Sequence, residues 1–181
     1  SVKKNGDVNV GNGGPWTELK FFREGGGGGG GGGNFTKPYQ FLADNKIVIQ
    51  HKKGGNYNKF LRVNPNKRSE ADADGGKGKF AQLQVDVAEK EKKVRIYYVD
   101  DSANNEKRYL RIGPAGNINF GGNGGKWTYF KVHKMGIGAQ GGRIAKLESV
   151  ESSGKYVSVK QNGDINVGNG GPWTELQFFR N

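Results

Sequence analysis

The chain has no cysteine among its 181 residues, which removes disulfides, thiolate nucleophiles and cysteine-held metals. Its five prolines and 33 glycines follow no three-residue period, so a collagen-like helix is excluded as well. The apolar runs are a few residues long, against the ~20 that a membrane-spanning helix needs, and no such helix is expected. Histidine is scarce: His51 and His133 stand far apart, without metal-ligand spacing, and are expected at the surface with no carboxylate or serine placed for a relay. Acidic residues are the minority charge, 17 against 29 Lys and Arg, which leaves a formal net charge of +12.

What is abundant is glycine. Apart from the unbroken run at residues 25–33, the glycines fall between short apolar and aromatic stretches, as turns do in an all-β chain. With 33% apolar residues, a chain of this length buries one core and not two large domains.

One stretch occurs twice. Residues 1–24 return as residues 158–181 with four differences, Lys4/Gln161, Val8/Ile165, Lys20/Gln177 and Glu24/Asn181. The expected organisation is therefore a complete unit over residues 34–181, a poly-glycine linker over 25–33, and a partial copy of the C-terminal half-block over 1–24. That copy belongs to a preceding or an exchanged unit. Nine glycines span on the order of 15–18 Å as a random coil. Reach alone does not say whether residues 1–24 or 158–181 close the fold.

Three blocks align at a spacing near 47 residues. Each opens with a strand-like run: Ile47-Val48-Ile49, the segment from Val94 to Val99, and Ile144-Ala145-Lys146-Leu147. A second run follows, Lys59-Phe60-Leu61-Arg62-Val63, Arg108-Tyr109-Leu110-Arg111-Ile112 and Lys155-Tyr156-Val157-Ser158-Val159, with the alternation of a half-buried strand. A weaker third strand lies at Ala71-Asp72-Ala73-Asp74, Asn117-Ile118-Asn119-Phe120 and Asp164-Ile165-Asn166-Val167, after the turns Ala115-Gly116 and Asn162-Gly163 in the last two blocks. The fourth run is aromatic-led, starting at Phe80, Trp127 and Trp173. Its apolar positions are spaced three and then two apart, which suggests a bulge that lays the aromatic ring across the base of a shared core. The predicted core is Ile47, Ile49, Leu61, Val63, Leu83, Val85, Ile96, Leu110, Ile112, Phe130, Val132, Leu147, Val157, Val159, Leu176 and Phe178.

Three units of four strands over residues 34–181 resemble a β-trefoil, as in fascin-like and fibroblast-growth-factor-like proteins. The matching elements are Tyr-Leu-Arg-Ile-Gly-Pro-Ala-Gly-Asn-Ile, from Tyr109 to Ile118, and its counterpart from Tyr156 to Ile165. Trp127 and Trp173 follow Gly-Lys and Gly-Pro, so the Gln-x-Trp signature of ricin-type sugar-binding trefoils is missing. The fascin resemblance implies actin bundling as one alternative, and the growth-factor resemblance implies a heparin-binding ligand as another.

Local motifs add little chemistry. Gly136-Ile137-Gly138-Ala139-Gln140-Gly141 has the letters of a dinucleotide fingerprint but precedes a strand pattern where a helix is needed. The run from Glu70 to Gly75 starts like a calcium loop, yet its twelfth position is Ala81 where a bidentate carboxylate belongs. Asp100-Asp101 reads as a loop pair. No catalytic, cofactor-binding or metal residues are assigned, and no enzyme is expected.

The charge is the better lead. Lys52, Lys53, Lys67, Arg68, Lys92, Lys93, Arg95, Lys107, Arg108 and Arg111 gather the cationic excess and are the candidate polyanion-binding residues. Ser1, Trp16, Leu19 and Phe21, with their duplicates Ser158, Trp173, Leu176 and Phe178, form the candidate assembly segment. The expected protein is a non-catalytic tandem-repeat building block that self-assembles into filaments or a matrix and binds an anionic polymer or mineral such as sulfated glycan or silica. Its expected partners are copies of itself and that anionic surface, with no membrane. Nucleic acid ranks last, because the aromatics are committed to the core. The expected location is extracellular, with the cytoplasmic cytoskeleton as the alternative.

Overall fold

Alternation of apolar and polar positions is realised as strands throughout. The computed structural model describes residue 42 and residues 46–51, 59–88, 92–138, 141–160 and 162–180. The partial copy at 1–24, the poly-glycine run, Lys52 and Lys53 lie outside the described residues. Among those described there are twelve strands: β1 (Ile47–His51), β2 (Phe60–Val63), β3 (Ala71–Gly75), β4 (Gln84–Ala88), β5 (Lys93–Asp100), β6 (Glu106–Ile112), β7 (Ile118–Gly122), β8 (Phe130–Ile137), β9 (Arg143–Ser149), β10 (Tyr156–Val159), β11 (Ile165–Gly168) and β12 (Leu176–Arg180). They form one antiparallel sheet, and no described helix is long and apolar enough to cross a membrane.

Six strands pair in a circuit. β4 pairs with β5, β5 with β8, β8 with β9, β9 with β12, and β12 with β1. Ile47 of β1 then exchanges both backbone hydrogen bonds with Leu83, just before β4, at 2.8 and 2.9 Å. Pairing the strands around a circuit removes the open edges that a flat sheet leaves. The other six strands make three hairpins, β2 with β3, β6 with β7 and β10 with β11. These touch one another: the Ala73 amide donates to the Gly163 carbonyl at 3.1 Å and the Phe120 amide to that of Ser69 at 2.8 Å.

The aromatic-led segments depart from the expected bulge. Each begins with a 3₁₀ turn, Lys79–Ala81, Lys126–Thr128 and Pro172–Thr174, and only then enters its strand. Spacing of three is the period of a 3₁₀ turn. None of the three aromatic rings is fully buried, Trp173 being 40% exposed, Trp127 half-buried and Phe80 half-buried against the core, and the residue three places on, Leu83, Phe130 or Leu176, fills the core. Thr128 and Thr174 tie their turns down by donating from Oγ1 to the carbonyls of Gly125 and Gly171, both at 2.6 Å. Bulges do occur, at Phe60/Arg62, Tyr109/Arg111 and Lys134/Gly136.

Of the predicted core, every member is buried except Val85, which packs half-buried against it. Leu42, Val94, Tyr98 and Phe120 join them. Gly116 and Gly163 adopt φ of +74° and +94°, which suits glycine, whereas Asn162 keeps a negative φ. The Asn-Gly turn is thus not the mirror-image type in which both residues need positive φ.

Candidate polyanion-binding surface

Strand period 2 sorts the candidate cations onto two faces. On β5, Lys93, Arg95 and Tyr97 share the outward face, and Lys107 and Tyr109 of β6 continue it. Arg95 Nη2 lies 3.2 Å and Lys107 Nζ 3.6 Å from opposite oxygens of Asp86 on β4. The Tyr109 hydroxyl donates to the same carboxylate at 3.0 Å. Each cation also covers a ring: Lys93 Nζ is 3.9 Å from the centre of Tyr129, Lys107 Nζ 4.3 Å from Tyr97, and the Arg95 guanidinium 5.0 Å from Tyr109. Ring faces attract cations, and such contacts hold long side chains in place while leaving their charge intact. Burial works against the charge of Lys107, but the Tyr97 hydroxyl and Asp86 outweigh it and its pKa is raised. Burial, reinforced by the Asp86 hydrogen bond, pushes the Tyr109 phenol up too.

Arg68 and Arg108 meet at the other end of β5. Both guanidiniums contact Asp100, at 3.2 and 2.9 Å, and the carboxylate is 1% exposed. Asp100 is therefore a buried organising group and not a loop acid. Burial favours its neutral form, but hydrogen bonds from the Ser102 hydroxyl and amide, from Arg108 and the charge of Arg68 prevail and hold its carboxyl below the usual aspartate range. At Asp86 one carboxylate serves two cations and a positive excess remains, whereas at Asp100 the two guanidiniums are balanced, because Arg108 Nη2 also pairs with Glu106 at 3.1 Å. Burial, followed by the charge of Asp101, raises the pKa of Tyr98, whose hydroxyl accepts from Arg68 at 3.5 Å.

The remaining candidates are scattered. Lys67 pairs with Glu70 at 3.1 Å, Arg111 donates to the neutral Asn119 amide oxygen at 2.8 Å, and Lys92 is exposed at a turn with φ +51°. Sequence reasoning missed Asp86 and the rings of Tyr97, Tyr109 and Tyr129, although Lys93-x-Arg95-x-Tyr97 and Lys107-x-Tyr109 carry their signal in period 2. In the third block Lys146 donates to the Gly170 carbonyl at 2.5 Å, as Arg95 does to that of Gly124 at 3.2 Å. In the first block Val48 stands at that strand position, and Lys77 reaches over the Phe60 and Phe179 rings from the following loop. Only the second block gathers three cations.

Of the assembly segment, Ser158, Leu176 and Phe178 are buried, and Trp173 lies exposed with its ring 4.8 Å from that of His51. Ser1, Trp16, Leu19 and Phe21 lie outside the described residues.

His133 is exposed, as expected, whereas His51 is not. His51 is 6% exposed and donates from Nε2 to the Pro172 carbonyl at 3.2 Å. His133 does have a carboxylate, donating to Glu148 at 2.6 Å, and Ser153 donates to the other Glu148 oxygen at 3.0 Å. A nucleophilic relay needs the histidine between serine and acid. Here the acid is in the middle, so the serine proton has no route to the imidazole. The Gly154 amide does most to lower the Glu148 carboxyl, outweighing burial, with His133 and Ser153 adding to it.

Of the motif at 136–141, Gly136 and Ile137 end β8, the Gly138 amide donates to the Gly142 carbonyl at 2.7 Å, and the next described element is strand β9, not a helix. The calcium-like run is largely β3: Asp72 pairs with Arg62 at 2.5 Å and Asp74 with Lys59 at 3.2 Å. Among the described residues no three acidic or histidine groups cluster as a metal site. Compared with known proteins, the chain matches no family model and no curated protein.

Proposed function

We propose that the chain is a β-trefoil module, a non-catalytic building block that assembles with copies of itself and offers its cationic face to an anionic polymer or mineral. Supporting the trefoil are the six-strand circuit, the three hairpins in mutual contact and the recurring 3₁₀ turns. The observation that carries the assembly reading is the place of the duplicated segment. Its described copy includes β11 and β12, and β12 is hydrogen-bonded on both edges, to β1 and to β9. Residues 1–24 repeat that segment almost letter for letter, so a chain holds two sequences suited to one position. The surplus copy has its complement in another molecule.

The cationic arm of the reading rests on the Asp86 cluster, where aromatic faces preorganise three cations for multivalent contact with sulfate, carboxylate or silanolate groups. Sedimentation velocity over a hundredfold concentration range tests assembly, and a mass independent of concentration refutes it. Retention on sulfated glycan and on silica, eluted with rising salt, tests the second arm. Salt-insensitive retention or none refutes it.

A further inference from the structure

The two copies differ at one position that the structure buries. Gln177 is 2% exposed on the outer face of β12, with Gly138 and Gly142 against its side chain. A Cβ on Gly138 or Gly142 would run into its side chain, so the backbone at these two glycines rests directly on it. Among the described residues its buried Nε2 has no hydrogen-bond acceptor. The corresponding residue of the first copy is Lys20. An ammonium brings three donors and a full charge, and the site already lacks an acceptor for a neutral amide. By contrast Leu19 and Phe21 repeat the inward Leu176 and Phe178 unchanged, and Val8 in place of Ile165 removes one methylene at a half-buried position.

Resting on the assembly reading, we propose that the β12 position is the docking site for residues 1–24 of a second copy, and that Lys20 makes this incoming segment the weaker occupant. The resident C-terminal segment closes its own fold. Exchange between molecules proceeds only when that segment is released, and the residue at position 20 or 177 sets how often the newcomer wins.

Because the chain has no cysteine, single introduced thiols report the exchange cleanly. Val48 is the register partner of Phe179, and Phe22 is its duplicate. An acceptor chain carrying Val48→Cys is mixed with a donor of different tagged mass carrying Phe22→Cys, then oxidised and resolved without reductant. A disulfide-linked heterodimer is expected, rising at least tenfold, or about 1.4 kcal/mol, with Lys20→Gln in the donor or Gln177→Lys in the acceptor. Absence of heterodimer in every combination overturns the docking, and a yield indifferent to positions 20 and 177 overturns the selection. A single chain bearing Val48→Cys and Phe179→Cys separates the two levels. If it forms no internal disulfide, the strand arrangement itself fails, and the exchange falls with it.

Discussion

Replacing Asp100 with alanine tests the more buried of the two charge clusters. The carboxylate accepts from Arg68, Arg108 and the amide and hydroxyl of Ser102, and is 1% exposed, whereas Arg68 and Arg108 keep 28% and 26% of their side-chain surface. Breaking a buried ion pair from one side costs about 3–5 kcal/mol when the abandoned charge stays buried. These two guanidiniums can turn to water, which reduces the penalty, while the Ser102 amide loses its acceptor and a small cavity opens. The expected loss is about 2–3 kcal/mol. At about 2–4 °C per kcal/mol for a domain of this size, the melting temperature falls by roughly 4–12 °C. Urea denaturation followed by intrinsic fluorescence measures the change directly. Asp100→Asn keeps the shape and loses less. Combined with Arg108→Ala, the alanine variant gives a non-additive cycle, because the two side chains share one interaction. A loss below about 0.5 kcal/mol, the range of ordinary surface changes, refutes the view that this carboxylate organises the end of β5.

Other consequences are open to measurement. Lys93→Ala, Arg95→Ala and Lys107→Ala together should weaken retention on sulfated glycan and flatten its dependence on salt, while Lys67→Ala, in an exposed pair with Glu70, should change little. Gly163→Ala should destabilise by more than Gly116→Ala in thermal melts: both adopt positive φ, but at Gly163 the added methyl meets Asp74 and the Ala73 carbonyl, whereas Gly116 faces open space. Asp100 and Glu148 have folded pKa values below their ordinary 3.8 and 4.5. Their contribution to stability is therefore complete above about pH 4.5 and is lost as acid titrates through the lower folded values, which urea midpoints between pH 6 and pH 2.5 will follow. Asp100→Asn combined with Glu148→Gln should flatten that decline.

The strand pattern was legible because the inward positions are β-branched, leucine or aromatic, with alternating polar neighbours, and this places β1, β2, β5, β6, β9 and β10 close to where they form. The fourth strand of each block misled. Phe80, Trp127 and Trp173 look like core residues by size, and a 3₁₀ turn that leaves them only partly buried or exposed has almost the letters of a bulged strand. Phe120 and Leu42 lie in the core although neither is among the predicted core residues; Phe120 ends a stretch read as a weak strand, and contact between its hairpin and Ser69 helps to bury it. Of the cationic site, the basic residues were visible but their grouping was not. Asp86 and Asp100 define the clusters, and both are paired across strands whose register no single sequence states. The Glu148 partner of His133 was hidden for the same reason: only the pairing of β8 with β9 brings them together.

The bond between β1 and β12 has a kinetic side. One edge of the circuit stays open until residues 176–180 have been synthesised, more than a hundred positions after the strand that they must meet. A growing polypeptide therefore emerges with the β12 side of β1 unfilled, and joining segments so distant in sequence is slow, on the scale of milliseconds to seconds for such topologies. If the proposed exchange operates, a neighbouring nascent chain offering the same letters competes during that interval, and crowded synthesis on one messenger then gives mixed assemblies that dilute refolding does not.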